Sequence, residues 1–270
     1  MCIFAGPVQK VENTRIAVFI NRHRCFTAYQ MAVELAGQGN AMILPVPTGG
    51  TIQLVDMSRA PTFFDDLNNL WPVPQSRGMT RSLAAPAGRF LDVHKVGSYE
   101  VSIAEDIDDI KYIDPSVFTL SKSTEATLWH SYKGGGYSFV VAKLSQGGEM
   151  HPLGYIYDRA NTFETFIPTK HAHGDEKGLS VMQAIQHEPD WDHTVYLQGP
   201  CSFVVDPKTT PQGLGATKVD MSPAGARAHQ VILDNLVAAV PELEGFLDTP
   251  RMYRTRWVGR LRNIDAILVS

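Results

Sequence analysis

The sequence predicts an α+β fold made mainly of antiparallel sheets, with a few short helices and one long helix toward the C-terminus. Three observations carry this expectation. Apolar runs of strand length recur along the chain, divided by clusters of Gly, Pro, Asn and Asp. In roughly the first 55 residues the joining segments are too short for the crossover helices that parallel strands need. Apolar residues at helical spacing occur in only a few stretches.

In chain order, strands are expected at 3–8, 14–20, 25–34, 41–46 and 51–55. The run 25–31 is rich in aromatic and β-favouring residues, and Gly37-Gln38-Gly39-Asn40 supplies the turn that follows, so a meander is expected. Pro45 and Pro47 cannot donate to a ladder and should end the fourth strand or hold it at an edge. After Pro61, apolar residues at 63, 64, 67, 70 and 71 give a short amphipathic helix, with Asp65 and Asp66 in its early turns where the helix dipole favours acids. Residues 72–88 shift to Pro, Gly, Ser, Ala and Arg, the composition of an exposed loop.

Alternation over 90–96 and 98–104 across Gly97 suggests a hairpin. A helix at 124–133 stops at Gly134-Gly135-Gly136, and strands follow at 137–144, 153–157 and 163–168. Then come a short helix at 180–187 and strands at 193–198 and 201–205. The strongest helical pattern is 223–240, with Ser222 as cap, Pro223 in the first turn and Pro241 as stop; residues 252–269 return to strand-like alternation. The chain reads either as one α+β domain over 1–270 or as two β-rich halves, 1–115 and 116–270.

Composition removes several function classes. Twenty-four Lys and Arg against 28 Asp and Glu leave a formal charge of −4, unsuited to general nucleic-acid binding. With 44% hydrophobic and 19% charged residues the chain can bury a large core. No run of about 18 apolar residues suggests a membrane span. The opening residues do not resemble a secretory signal, and three cysteines (Cys2, Cys25, Cys201) read as reduced thiols, so a cytoplasmic location is expected.

The segments Ala41-Met-Ile-Leu-Pro-Val-Pro47, Phe63-Phe-Asp-Asp-Leu67, Val96-Gly-Ser-Tyr-Glu-Val101, Tyr137-Ser-Phe-Val-Val-Ala-Lys143 and His151-Pro-Leu153 stand in an order that resembles a bacterial family of unknown function. The resemblance covers roughly residues 1–170 and implies no catalytic residue. Members of that family often carry a leader before their first cysteine, whereas this sequence starts at Met1-Cys2.

Three constellations could carry chemistry. Removal of Met1 would leave Cys2 with a thiol and a free α-amine, so the amine can serve as base for its own nucleophile. This opening resembles N-terminal nucleophile amidohydrolases, and the resemblance implies Arg22 as the arginine ending the second strand; the acidic residue usual after it is missing. Second, five of the nine histidines fall between His151 and His193. His171 and His173 are two apart and on a strand would project from one face, with Asp175, Glu176 or His193 completing a divalent metal site. His171-Ala-His173 resembles the His-x-His of cupins, without their acid spacing. Third, Arg254, Arg256, Arg260 and Arg262 share parity, so on one strand four guanidinium groups would form an anion-recognising face opposite Tyr253, Trp257 and Leu261. Glu105, Asp106, Asp108 and Asp109 lack EF-hand spacing and read as an exposed acidic turn. No GxSxG, HExxH, CxxC or P-loop is present.

Three functions follow. The chain is a β-rich binding or assembly module, engaging a protein partner or a second copy through surface loops and the arginine face. Alternatively it is an amidohydrolase using Cys2 and Arg22, or a metal-binding protein using His171, His173 and His193. No cofactor is called for beyond that divalent metal.

Overall fold

The computed structural model describes residues 3–37, 39–47, 50–71, 94–113, 118–145, 147–173, 183, 188–199, 204–205, 208, 210, 217–220, 226–247 and 251–269. The expected loop at 72–88 and most of the expected helix at 180–187 lie outside these residues.

Strands dominate, and they form three sheets. The strands are β1 (Ile3–Phe4), β2 (Val8–Ile20), β3 (Arg24–Leu35), β4 (Asn40–Pro47), β5 (Ile52–Val55), β6 (His94–Val96), β7 (Tyr99–Ala104), β8 (Tyr137–Leu144), β9 (Gly148–Glu149), β10 (Leu153–Asp158), β11 (Glu164–Ile167), β12 (Asp190–Gln198), β13 (Val204–Val205), β14 (Thr217–Asp220), β15 (Arg251–Arg260) and β16 (Ala266–Val269). The helices are α1 (Phe63–Asn68), α2 (Lys122–Tyr132) and α3 (Ala226–Ala239), with 3-10 turns at Met57–Arg59, Ile107–Tyr112 and Pro241–Leu243. A five-stranded sheet runs β1-β4-β8-β7-β6. An eight-stranded sheet runs β14-β15-β12-β2-β3-β10-β5, with β9 also on β3. A small sheet runs β11-β16-β13. Strand pairs are antiparallel except β12 with β2. Both large sheets contain strands from before and from after residue 115.

The expected N-terminal meander is split. β2 and β3 pair in the eight-stranded sheet, while β1 and β4 belong to the five-stranded one. Alternation fixes which side chains point inward but not which sheet a strand joins. The break expected before residue 14 is a bulge within one 13-residue strand: Asn13 has φ 52°, and the register shifts between Glu12 and Arg15. Pro45 lies within β4, and the strand stops at Pro47. β8 pairs along its whole length, but β1 covers only Met42 and Ile43, so both prolines sit where β4 has one neighbour.

Three apolar layers hold the sheets. Between the two large sheets lie Ile16, Val18, Leu44, Val140, Val195, Trp191 and Trp257. The outer face of the eight-stranded sheet packs Phe19, Phe26 and Tyr196 against Phe63, Phe64 and Leu67 of α1 and Leu233 and Leu236 of α3. The outer face of the five-stranded sheet packs Ile43, Phe139 and Val141 against Ile107, Ile110, Leu128 and Tyr132. Burying each such side chain contributes about 1.5–3 kcal/mol. α2 forms where expected because the Ser121 hydroxyl accepts the N–H of Thr124 at 3.1 Å. The acidic cluster is a 3-10 turn in which the Asp106 carboxylate accepts the N–H groups of Asp108 and Asp109 at 2.6 and 3.2 Å.

Candidate functional site

The structure brings the three histidines together. The His171 and His193 rings lie 5.2 Å apart at 12°, and those of His171 and His173 lie 5.8 Å apart at 17°. The indole of Trp191 sits 4.7 Å from His171 and 4.6 Å from His193, and Trp257 lies 6.0 Å beyond. Lone pairs lie in the ring plane, so stacked rings direct them side by side and not at one point. Among the described residues no group of three or more His, Cys, Asp or Glu side chains is placed to hold a metal ion. His193 is fully buried, and neither of its ring nitrogens has a hydrogen-bond partner among the described residues. The trio packs on Trp191 as a stack of rings, and Asp175 and Glu176, the other candidate ligands, lie outside the described residues.

The arginine face is divided. β15 ends at Arg260, so Arg262 is not on it, and the Arg262 Nη2 donates to the Thr210 carbonyl at 2.9 Å. Arg254 lies over the Trp71 ring at 4.9 Å and donates to Asn68 Oδ1 at 2.6 Å. On β15, Arg256 and Arg260 face solvent beside the exposed Val258, and Arg262 is exposed past the strand's end. The neighbouring strand supplies the opposite charge: Asp190 stands across from Arg260, and Asp192 pairs with Arg256 at 3.5 Å. Parity assumed a strand reaching Arg262, which β15 does not, and it carries no information about the strand alongside.

Arg22 is exposed in the turn between β2 and β3. Cys2 lies outside the described residues. Cys25 is buried, and burial pushes its thiol up to about 11, so it stays protonated at neutral pH.

Two hollows open on the surface. One, of about 350 Å³, is bounded by Gly6, Pro7, Gly37, Asn40 and Phe118, with no charged side chain in its wall among the described residues. The other, of about 290 Å³, is a cleft at one end of the sheets, bounded by Pro47, Gly135, Gly136, Tyr137, Tyr157, Arg159, Asn161, Glu164, Phe166 and Ile267. Local sequence builds it. Gly134 and Gly136 take φ values of +73° and +67°, and a side chain at Gly135 would come within 3.0 Å of the Tyr137 ring, so the turn can lie against that ring only with glycine. Across the cleft, Asn161 Oδ1 accepts the N–H of Phe163 at 2.9 Å, and this Asx-type turn leaves Phe163 70% exposed beside the opening.

Arg159 is clamped by carbonyls. Its Nη1 donates to Asn21 at 3.2 Å, and its Nη2 donates to Thr162 at 2.7 Å and Glu164 at 3.0 Å. Tyr137 and Phe166 face each other with ring centroids 5.5 Å apart, and burial raises the Tyr137 hydroxyl above its ordinary range, helped by Asp265 and Glu164. Behind Tyr137 is a polar knot that the sequence did not signal. Asp265 accepts the N–H groups of Thr169 and Lys170 at 2.8 Å each and the Tyr132 hydroxyl at 2.5 Å, and Lys170 reaches Ser131 at 2.8 Å. Burial is the largest cause that raises the Asp265 carboxyl and lowers the Lys170 ammonium. The knot ties the chain ahead of β16 to α2 and so fixes one wall of the cleft.

Its residues come from five separate parts of the sequence, and the one hint was Gly134-Gly135-Gly136 directly before an aromatic residue, which reads only as a helix stop.

No family model matches the chain. Among solved structures it is similar to baculovirus P35, with 11% identity and a TM-score of 0.48 over 100% of this chain and 99% of that one. It is also similar to yeast LTA4 hydrolase in complex with bestatin, with 8% identity and a TM-score of 0.37 over 99% of this chain but 29% of the hydrolase. At these scores neither likeness bears on what the chain does.

Proposed function

We propose that the chain is a binding module whose ligand sits in the cleft between the start of β8 and the β10–β11 turn. The observation that carries this reading is an open cleft walled by Tyr137, Tyr157 and Phe166 in which a clamped cation, Arg159, makes no ion pair with any described carboxylate. Ligand sites combine this kind of apolar wall with a few fixed polar groups. The volume, about 290 Å³, sits near the lower end of such sites and suits a small molecule better than a protein surface. The arginine face supports recognition less well, because Asp190 and Asp192 stand among its exposed members.

A fragment screen by backbone NMR of the full chain tests this. Saturable shifts gathered at Gly135, Gly136, Asn161 and Ile267 are expected from some members of the set. Shifts gathered instead around Arg256 and Arg260, or nowhere, would overturn it.

A further inference from the structure

We propose that the cleft ligand is a zwitterionic α-amino acid with an apolar side chain, its carboxylate on Arg159 and its ammonium on Glu164. This rests on the binding reading above and names the ligand class. The argument begins with two opposite charges in one cleft wall. Arg159 and Glu164 are five residues apart, and the Arg159 Nη2 bonds the Glu164 carbonyl at 3.0 Å. Yet the guanidinium and the Glu164 carboxylate form no ion pair with each other, nor with any other described residue. Charges held this close by the backbone ordinarily satisfy one another when nothing else does. Here each is left for a ligand that brings both signs on neighbouring atoms.

The guanidinium is already oriented for this. Three of its five N–H groups are spent on the Asn21, Thr162 and Glu164 carbonyls, both of those on Nη2 among them, which fixes its plane and leaves the Nε–H and one Nη1–H, on different sides, either of which can donate a single charge-assisted bond to a carboxylate. Glu164 is exposed, and its side chain makes no hydrogen bond among the described residues, so its carboxylate can turn to an ammonium without breaking anything. The apolar portion of the ligand has Pro47, Tyr137, Phe166 and Ile267 to pack against. A volume of about 290 Å³ holds one amino acid and not an extended peptide.

The test titrates the full chain with L-leucine and L-phenylalanine, and with two single-charge analogues, 3-phenylpropionate and 2-phenylethylamine, following backbone amides by NMR. At least one amino acid should move Gly135, Gly136 and Ile267 saturably, with both analogues at least about tenfold weaker. Glu164→Gln should bring the amino acid down to the level of 3-phenylpropionate and leave 3-phenylpropionate unchanged. Arg159→Lys, which keeps the charge but loses the carbonyl clamp that orients it, should weaken both acids. If 3-phenylpropionate binds as tightly as the amino acids, or Glu164→Gln has no effect, the zwitterion assignment falls while the cleft stands as a binding site. If none of the four ligands moves the cleft up to about 10 mM, the assignment also falls. A fragment screen equally blank at the cleft then removes the binding reading itself.

Discussion

The Nε2 of His151 accepts the backbone N–H of Ser98 at 2.8 Å, while its Nδ1 lies 2.8 Å from the Pro152 carbonyl and donates to it. The ring is therefore neutral, and it clasps the turn of the β6–β7 hairpin. Gly97 makes the approach possible, because at φ +58° a side chain there would lie 2.5 Å from Nε2. Burial lowers the His151 pKa, with the Pro152 carbonyl and Asp56 acting against it.

Protonation puts a second N–H where Ser98 already donates, so this clasp should weaken in acid. The unfolded chain takes up the proton near its ordinary value of about 6.5 and the folded chain only lower. The stability held above 6.5 is therefore lost as pH falls from there toward the folded value. Thermal melts from pH 8 to 5 should show the difference between wild type and His151→Gln shrinking with acidity, and exchange of the Ser98 amide should quicken over the same range.

Arg254 and Arg256 should separate in stability. Arg254→Ala removes the bond to Asn68 and the contact with Trp71 and is expected to cost about 1–2 kcal/mol. Arg256→Ala removes an exposed pair and should stay within about 0.5 kcal/mol. Chemical denaturation of the two single variants checks this ordering.

His193→Leu should leave stability within about 1 kcal/mol of wild type or raise it, since the imidazole brings two buried nitrogens that gain nothing from the described residues around them. Adding Zn2+ should not move the melting temperature of either protein, whereas a ligand bound only by the folded state would raise it.

Asp265→Asn keeps the shape of the polar knot but removes the charge that three donors converge on. A loss of roughly 2–4 kcal/mol is expected. Tyr132→Phe, which deletes one of the three donors, should cost less, and urea midpoints of the two variants rank them.

Much of the strand order was legible because strands covered on both faces read as continuous apolar runs. The runs 25–31 and 137–144 are unmistakable, and β3 and β8 are buried along most of their length. Sheet membership was not legible, since β1 and β2 look alike as sequence and part company only through Gly6 and Pro7. His171 and His193 lie side by side, but their stacking on Trp191 depends on a third residue whose ring orientation no spacing encodes. The cleft was missed for the same reason that the Asp265 knot was. Each joins residues far apart in the chain through single side chains, and single side chains leave no period.

The parallel pairing of β12 with β2 has a consequence for synthesis. Ile20 closes β2, yet its neighbour begins at Asp190, so about 170 residues must be made before that side of β2 can be capped. At roughly 5–20 residues per second, a nascent chain carries the bare backbone of β2 for about 10–30 s. An uncapped strand with an apolar run such as Ile16–Ile20 is a template for pairing with another chain. Yield from a cell should therefore depend on elongation rate and on chaperones that cover extended segments, even for variants whose finished fold is as stable as the parent.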